Sequence, residues 1–196
     1  MTLFCATTNP GKLREFNLIS GDIKVLPVPG LADIAPPEET GATFAENASI
    51  KAAYYSGFVD GVVFADDSGL AVDALGGAPG VYSARFAGED ATDERNNARV
   101  LAAMDGQTNR RARFVCVIAV AARRHPLMMF EGFVEGELLT APRGANGFGY
   151  DPLFYYSPFG CTFAEATAEQ KFGVSHRGQA LAKMMAARWS GDFLFR

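Results

Sequence analysis

Leu3-Phe4-Cys5-Ala6-Thr7-Thr8-Asn9-Pro10-Gly11-Lys12-Leu13-Arg14-Glu15-Phe16 sets the reading of the whole chain. Residues 3–7 read as a buried strand. Asn9-Pro10-Gly11 is a turn signal, and beyond it Leu13, Phe16 and Ile19 recur on one side of a helix. The same alternation continues outward. Thr43-Phe44-Ala45-Glu46 is a capping box that predicts a helix start, because the Thr43 hydroxyl and the Glu46 carboxylate satisfy each other's backbone donors. Residues 62–65 form a short β-branched and aromatic strand that runs straight into Asp66-Asp67-Ser68-Gly69. Thr92 with Asp93 and Glu94 opens another helix, first-turn acids suiting the dipole. Residues 113–122 are the most apolar strand candidate, with 127–139 returning as its hairpin partner. Residues 175–189 read as a helix with Ala180, Leu181, Met184 and Met185 at core spacing. The chain is therefore α/β.

Composition bounds the rest. The 196 residues include 18 Lys+Arg against 22 Asp+Glu, a net charge of −4, with 48% hydrophobic and 20% charged residues. That is ordinary globular composition, and the length suits one domain over residues 1–196. The acidic balance argues against nucleic acid, whose binding needs clustered Lys and Arg. The longest apolar run, residues 114–122, is too short to cross a bilayer, so no membrane role is expected. No basic region or long apolar stretch follows Met1, so no signal peptide is expected and the reading is cytoplasmic. Cys5, Cys116 and Cys161 are odd in number and lack a C-x-x-C pair, which disfavours a disulfide framework and a zinc site.

Four constellations carry the possible chemistry. Thr7-Thr8-Asn9-Pro10-Gly11-Lys12 joins a strand to a helix; such a junction offers backbone N–H groups and a lysine to an anion, although no G-x-x-x-x-G-K-[ST] loop is present. Asp66 and Asp67 sit at the end of an apolar strand, where two carboxylates repel unless a cation or proton intervenes. Strand alternation turns them to opposite faces. Asn47 and Lys51, four apart, share a helix face that on these residues alone reads as solvated. Lys171 and Ser175-His176-Arg177-Gly178 gather donors at a helix start. Arg110-Arg111-Ala112-Arg113 reads as a solvated edge, and His125 beside Pro126 as a surface loop. Two glycine-rich stretches, residues 75–81 and 143–152, read as loops using positive φ or close backbone approach. Together the acids, lysines and glycines suggest a divalent metal and a polyanionic substrate.

Six segments occur in a familiar order: residues 6–12, Thr43-Phe44-Ala45-Glu46-Asn47-Ala48, Ala65-Asp66-Asp67-Ser68-Gly69-Leu70, Gly76-Gly77-Ala78-Pro79-Gly80-Val81-Tyr82-Ser83-Ala84-Arg85, Phe148-Gly149-Tyr150-Asp151-Pro152 and Ser175-His176-Arg177-Gly178. In this register the chain resembles the inosine triphosphate pyrophosphatase family over about residues 3–189. The resemblance implies an elongated mixed β-sheet flanked by helices, in two lobes with the active-site cleft between them, in a homodimer. It implies Mg²⁺-dependent hydrolysis of dITP, ITP and XTP to the monophosphate and pyrophosphate, cleansing the nucleotide pool.

The resemblance also places roles. Thr7, Thr8, Asn9, Pro10, Gly11 and Lys12 match the loop that binds the triphosphate, and Lys51 a phosphate-facing lysine. Glu38 matches the acid that helps to hold Mg²⁺, with adjacent Glu39 as the alternative. Asp67 matches the metal ligand and general base, with Asp66 beside it and Ser68 touching substrate. Phe148, Gly149, Tyr150 and Asp151 match the base-binding segment, with Phe148 or Tyr150 as the stacking ring. Lys171, His176 and Arg177 match the purine contacts; donors from His176 and Arg177 suit a 6-oxo acceptor and clash with an amino group. Many family members carry Gly where this chain has Thr8, a residue less tolerant of positive φ. Two other readings remain: a nucleotide-binding protein without turnover, and a pyrophosphatase acting on other modified nucleotides.

Overall fold

The computed structural model describes residues 2–16, 18 and 24–187. Along the chain come β1 (Thr2–Cys5), α1 (Pro10–Phe16), β2 (Lys24–Pro27), α2 (Phe44–Tyr55), β3 (Val62–Val72) and α3 (Asp93–Ala103). They are followed by β4 (Arg111–Ala122), β5 (His125–Leu138), β6 (Phe154–Tyr156), β7 (Cys161–Thr162), α4 (Ala168–Val174) and α5 (His176–Ala186). The strands form one seven-stranded sheet in the order β2-β1-β3-β4-β5-β6-β7. β1 runs parallel to both β2 and β3, with Cys5 opposite Pro27 on one side and Phe64 on the other. β6 runs antiparallel to β5 and to β7. The sheet is mixed and flanked by helices, as the alternating pattern requires.

Two compact units divide this chain. The first holds Met1–Asp67, Cys116–Gly132 and Arg177–Arg196; the second holds Ser68–Val115 and Phe133–His176. In the first, Ala48, Ala52 and Tyr55 of α2 cluster with Val63 and Ala65 of β3 and with Val117, Ala119 and Ala121 of β4. The i, i+4, i+7 spacing puts the α2 residues on one stripe, and the alanines let the helix approach closely. In the second, Leu70 and Val72, Val100 of α3 with Met104 just beyond it, Phe114, Phe154 and Phe163 make the core. Its rings pack with Phe114–Phe154 and Phe154–Phe163 centroids 4.6 and 5.0 Å apart.

Local signals set most of the helix starts. Thr43 and Glu46 form the expected capping box, and the Thr92 hydroxyl accepts from the Arg95 backbone. Asn9 starts α1, its Oδ1 accepting from Gly11 and Lys12 N–H at 2.8 and 3.1 Å, with Pro10 as the first helical residue. A second capping box, Thr167 with Gln170, opens α4, which the sequence reading does not separate from α5. The predicted positions Ile19 and Trp189 lie outside the described residues.

Several expectations are corrected. The strand predicted over 62–65 runs on to Val72, so Asp66-Asp67-Ser68-Gly69 lies within the strand and not at its end. Buried Leu70 and Val72 extend the apolar pattern beyond the acids. Arg110 is not a solvated edge residue: its guanidinium donates to the carbonyls of Leu138 and Leu139 at 2.9 and 2.6 Å. His125 is exposed but opens β5, after a two-residue turn in which Arg123 and Arg124 have φ of 50 and 68°. Thr8 is not among the non-glycine residues of positive φ, which in the described chain are Arg123 and Arg124, so the first loop accommodates its β-branched side chain.

Candidate functional site

The first unit brings four side chains, three of them charged, around the acidic pair of β3. Asp66 and Asp67 are both buried, 3 and 7% exposed. Successive strand residues point to opposite faces, and the two carboxylates take different partners. Asp66 Oδ2 lies 2.8 Å from Lys12 Nζ of α1 and 3.4 Å from Arg177 Nε of α5. Arg177, 1% exposed, also pairs through Nη1 with Glu15. Asp67 Oδ1 lies 2.9 Å from Lys51 Nζ of α2, and its Oδ2 accepts from Asn47 Nδ2 at 3.4 Å.

This arrangement overturns the solvated-face reading of Asn47 and Lys51. Asn47 is fully buried; besides Asp67 it bonds the Gly41 N–H at 2.8 Å, tying the segment before α2 to the helix. Lys51 reaches Glu39 at 3.3 Å as well as Asp67. Of the two adjacent acids, Glu38 is exposed and Glu39 is the one that meets Lys51.

The charges separate the two aspartates. Burial alone would raise the Asp66 carboxyl, but Lys12 and Arg177, with Lys51 beyond them, hold it well below the usual carboxylate range. Burial raises Asp67, and Lys51 offsets only part of that. Burial would also lower Lys51, yet Asp67, Asp66 and Glu39 keep it above its ordinary value, so it stays cationic. One carboxylate is thus a fixed anion and its neighbour a basic group of raised proton affinity. Burial likewise pushes the Cys5 and Cys116 thiols up, which leaves them poor nucleophiles.

Asp67 and Glu39 offer hard oxygen donors beside a lysine. Among the described residues no group of three His, Cys, Asp or Glu side chains could hold a metal ion by itself. Two carboxylates nonetheless fit Mg²⁺, which binds through one or two carboxylates and completes its shell with water and phosphate oxygens. The loop side of this cluster presents half-buried Thr7 and exposed Thr8, Asn9 and Pro10, while Gly11 is buried within α1.

The second unit holds the other predicted residues. Lys171 Nζ is paired with Asp151 Oδ2 at 2.6 Å, both side chains almost fully buried. The same Asp151 oxygen accepts from the Phe148 N–H at 2.9 Å. Lys171 Nζ also lies 4.8 Å from the centroid of the half-buried Phe148 ring. Tyr150 is 4% exposed and donates its hydroxyl to the Ser83 carbonyl at 2.8 Å. Of the two candidate stacking rings, Tyr150 is therefore part of the core and Phe148 is the accessible one. His176 is buried, stacked on Phe114 at 4.8 Å and 13°. Ser68 is half-buried at the start of this unit.

Sequence reasoning missed Glu15, Asp93 and Asn97. Glu15 lies three residues after Lys12 on α1, a spacing that puts both on one helix face, and this was the available signal. Asp93 and Asn97 bond Gly149 across 56 and 52 residues, and nothing local announces them.

A mixed α/β sheet with a buried acidic pair on a central strand, each carboxylate bound to its own lysine, defines a class of proteins suited to polyanionic ligands. The chain belongs to the Ham1 family, whose model matches residues 3–187. It is 51% identical over 185 residues to a dITP/XTP pyrophosphatase of Syntrophobacter fumaroxidans, covering 93% of this chain and 79% of the relative. It is 50% identical over 198 residues to a dITP/XTP pyrophosphatase of Acidobacterium capsulatum, covering 95 and 97%. The Ham1 protein of Staphylococcus aureus superposes with a TM-score of 0.85 at 41% identity, covering 95% of this chain and 97% of that one.

Proposed function

We propose that this chain is a nucleoside-triphosphate pyrophosphatase that hydrolyses dITP, ITP and XTP to the monophosphate and pyrophosphate, removing non-standard purines from the nucleotide pool. The observation that carries the reading is Asp67: a buried carboxylate of raised proton affinity, fixed by Lys51 and Asn47 beside an acid that stays ionised. Membership of the Ham1 family and relatives that are dITP/XTP pyrophosphatases support it.

In this mechanism Asp67 orients a water and takes its proton as the oxygen attacks the α-phosphorus. The bond between that phosphorus and the β-phosphate oxygen breaks, and pyrophosphate leaves. Lys12 and Lys51 stabilise the charge that develops on the phosphate oxygens, and residues 7–11 receive the triphosphate. Asp66 keeps Lys12 in place. Asp67 with Glu39, or with neighbouring Glu38, would hold Mg²⁺, which when bound neutralises triphosphate oxygens. Phe148 stacks on the base, with Gly149, Tyr150 and Asp151 shaping its seat. Lys171, His176 and Arg177 contact the purine, and Ser68 touches the substrate. Arg177, held by Glu15 and Asp66, is fixed before any base arrives. The homodimer rests on the family resemblance alone, and sedimentation of the purified chain tests it. No helix among the described residues is long and apolar enough to cross a membrane.

The test is incubation of the protein and Mg²⁺ with ITP, XTP, dITP, GTP and ATP, separating pyrophosphate from orthophosphate. Pyrophosphate from the first three, and little from GTP and ATP, is the expected result. Orthophosphate release overturns the bond assignment. Tight binding without turnover favours the nucleotide-binding reading. Equal release from all five nucleotides overturns the purine selectivity.

A further inference from the structure

Two side chains of α3 grip a single residue of the loop that carries Phe148. Gly149 N–H donates to Asp93 Oδ2 at 2.6 Å, and Asn97 Nδ2 donates to the Gly149 carbonyl at 2.8 Å. Asn97 Nδ2 also donates to the Asp93 carbonyl at 2.7 Å, which links the two arms. Asp93 and Asn97 are four apart, so they project from the same face of the helix. Gly149 has φ of 63°, a left-handed conformation that glycine adopts without steric penalty. Both hydrogen-bonding groups of the residue are held, so the conformation is fixed from outside the loop.

The far end of this grip is rigid. Val100 of α3 and Met104, which caps the helix, are 0 and 2% exposed in the core of the second unit. Asn96 pins the chain on another side of the helix, accepting from Ala87 N–H at 2.8 Å and donating to the Ala84 carbonyl at 3.1 Å. The near end is the base-binding segment of the proposed function. Phe148 precedes the gripped glycine, its N–H is bound by Asp151, and Asp151 binds Lys171. Moving the Gly149 peptide therefore moves the Phe148 ring and the ammonium beside it together.

Asn97 adds an independent mark. Its Oδ1 is buried without a hydrogen-bond partner among the described residues, while its NH₂ serves Gly149 and Asp93. A buried unpaired carbonyl oxygen is a stability loss that an apolar residue on a core-facing helix would avoid. The residue is placed for the loop and against the interests of the helix.

We propose that Asp93 and Asn97 are positioning residues for the nucleobase, clamping Gly149 so that the Phe148 ring and Lys171 are preset for a purine. This rests on the reading of residues 148–151 as the base-binding segment. The clamp acts on ligands that carry a base and is indifferent to those that carry only phosphates.

The test compares Asp93→Ala, Asn97→Ala and the conservative Asp93→Asn, which keeps an acceptor for the Gly149 N–H. KM and kcat are measured with ITP, inhibition with inorganic pyrophosphate, which has no base, and binding with inosine monophosphate by calorimetry. The alanine variants are expected to raise KM for ITP and weaken monophosphate binding by roughly tenfold, a loss of the size that misplaced contacts produce. Their kcat and pyrophosphate inhibition stay near wild type, and Asp93→Asn recovers most of the loss. A fall in thermal stability with KM unchanged, or weaker pyrophosphate inhibition in the same proportion as ITP, overturns the clamp. Wild-type protein that binds inosine monophosphate but releases no pyrophosphate from ITP overturns the proposed activity and leaves the clamp to be judged by binding. Wild-type protein that does neither overturns both.

Discussion

Lys12 of α1 places its ammonium 2.8 Å from Asp66 Oδ2 on β3, and the neighbouring Asp67 takes Lys51 of α2 at 2.9 Å. Two adjacent acids thus hold two lysines from two different helices. Arg177 joins the first pair and Asn47 the second. The difference in company moves the two carboxyls in opposite directions, Asp66 down and Asp67 up. A single strand dipeptide therefore carries one carboxyl held ionised and one that protonates more readily.

Asp67→Asn keeps the size and an acceptor for Lys51 but removes the carboxylate proposed as the base. Pyrophosphate release from ITP at saturation should fall by about 10²–10⁴-fold, the usual contribution of a positioned general base. Nucleotide binding should persist, because Lys12 and Lys51 remain. Turnover close to wild type under saturating substrate would remove Asp67 from the base role.

Arg177 touches two buried carboxylates, Glu15 and Asp66, while being 1% exposed itself. Replacing it by Met takes the guanidinium from both carboxylates, and removing one partner of a buried pair destabilises by about 3–5 kcal/mol. Urea unfolding of Arg177→Met checks this. A residue that only contacts substrate would leave the midpoint unchanged, so the same variant separates a structural duty from a purely ligand-facing one.

Acid should weaken the fold through Asp66. Its folded pKa lies below the ordinary 3.8, so its contribution is present above that value and is lost as pH falls below it towards the folded value. Asp67, raised in the fold, has the opposite sign and adds stability as it protonates on the way down. Lys12→Met removes the nearest cation from Asp66. The stability gap between wild type and this variant, read from urea midpoints, should be widest near neutrality and shrink below pH about 4. A gap independent of pH would mean that the Lys12–Asp66 pair does not couple to folding.

How far the sequence could be read follows from the range of each interaction. Thr43 with Glu46 and Thr92 before α3 are local signals, and both helices begin where those residues put them. Asn9-Pro10-Gly11 likewise marks the entry to α1 because a cap acts within three residues. Asp66 and Asp67 stood out as candidates, but their place inside an eleven-residue strand did not. Adjacent acids followed by Ser and Gly look like a turn until the lysines that neutralise them are known. Those lysines come from α1 and α2, and their approach is a tertiary fact. Lys51 was legible only as one residue of a helix face. The Gly149 clamp was not legible at all, since Asp93 reads from sequence as a helix-opening acid. Short β6 and β7 carry too few residues for a two-residue period to register.

Gly69 closes the acidic motif, sits within β3 and is needed for close approach. A Cβ added there would lie 2.6 Å from the Gly80 carbonyl oxygen and collide with the Ser83 hydroxyl. That hydroxyl accepts from the Leu70 N–H at 2.9 Å and donates to Gly80 O at 2.7 Å, so it cannot swing away without breaking both bonds. The added methyl meets backbone on one side and a committed side chain on the other. Gly69→Ala should therefore destabilise by about 1–3 kcal/mol, the range for overpacking at a closed site. The double variant Gly69→Ala with Ser83→Gly relieves the side-chain contact but not the carbonyl one, so it should recover only part of the loss. Full recovery in urea unfolding would show that the backbone contact has no share in the requirement for glycine.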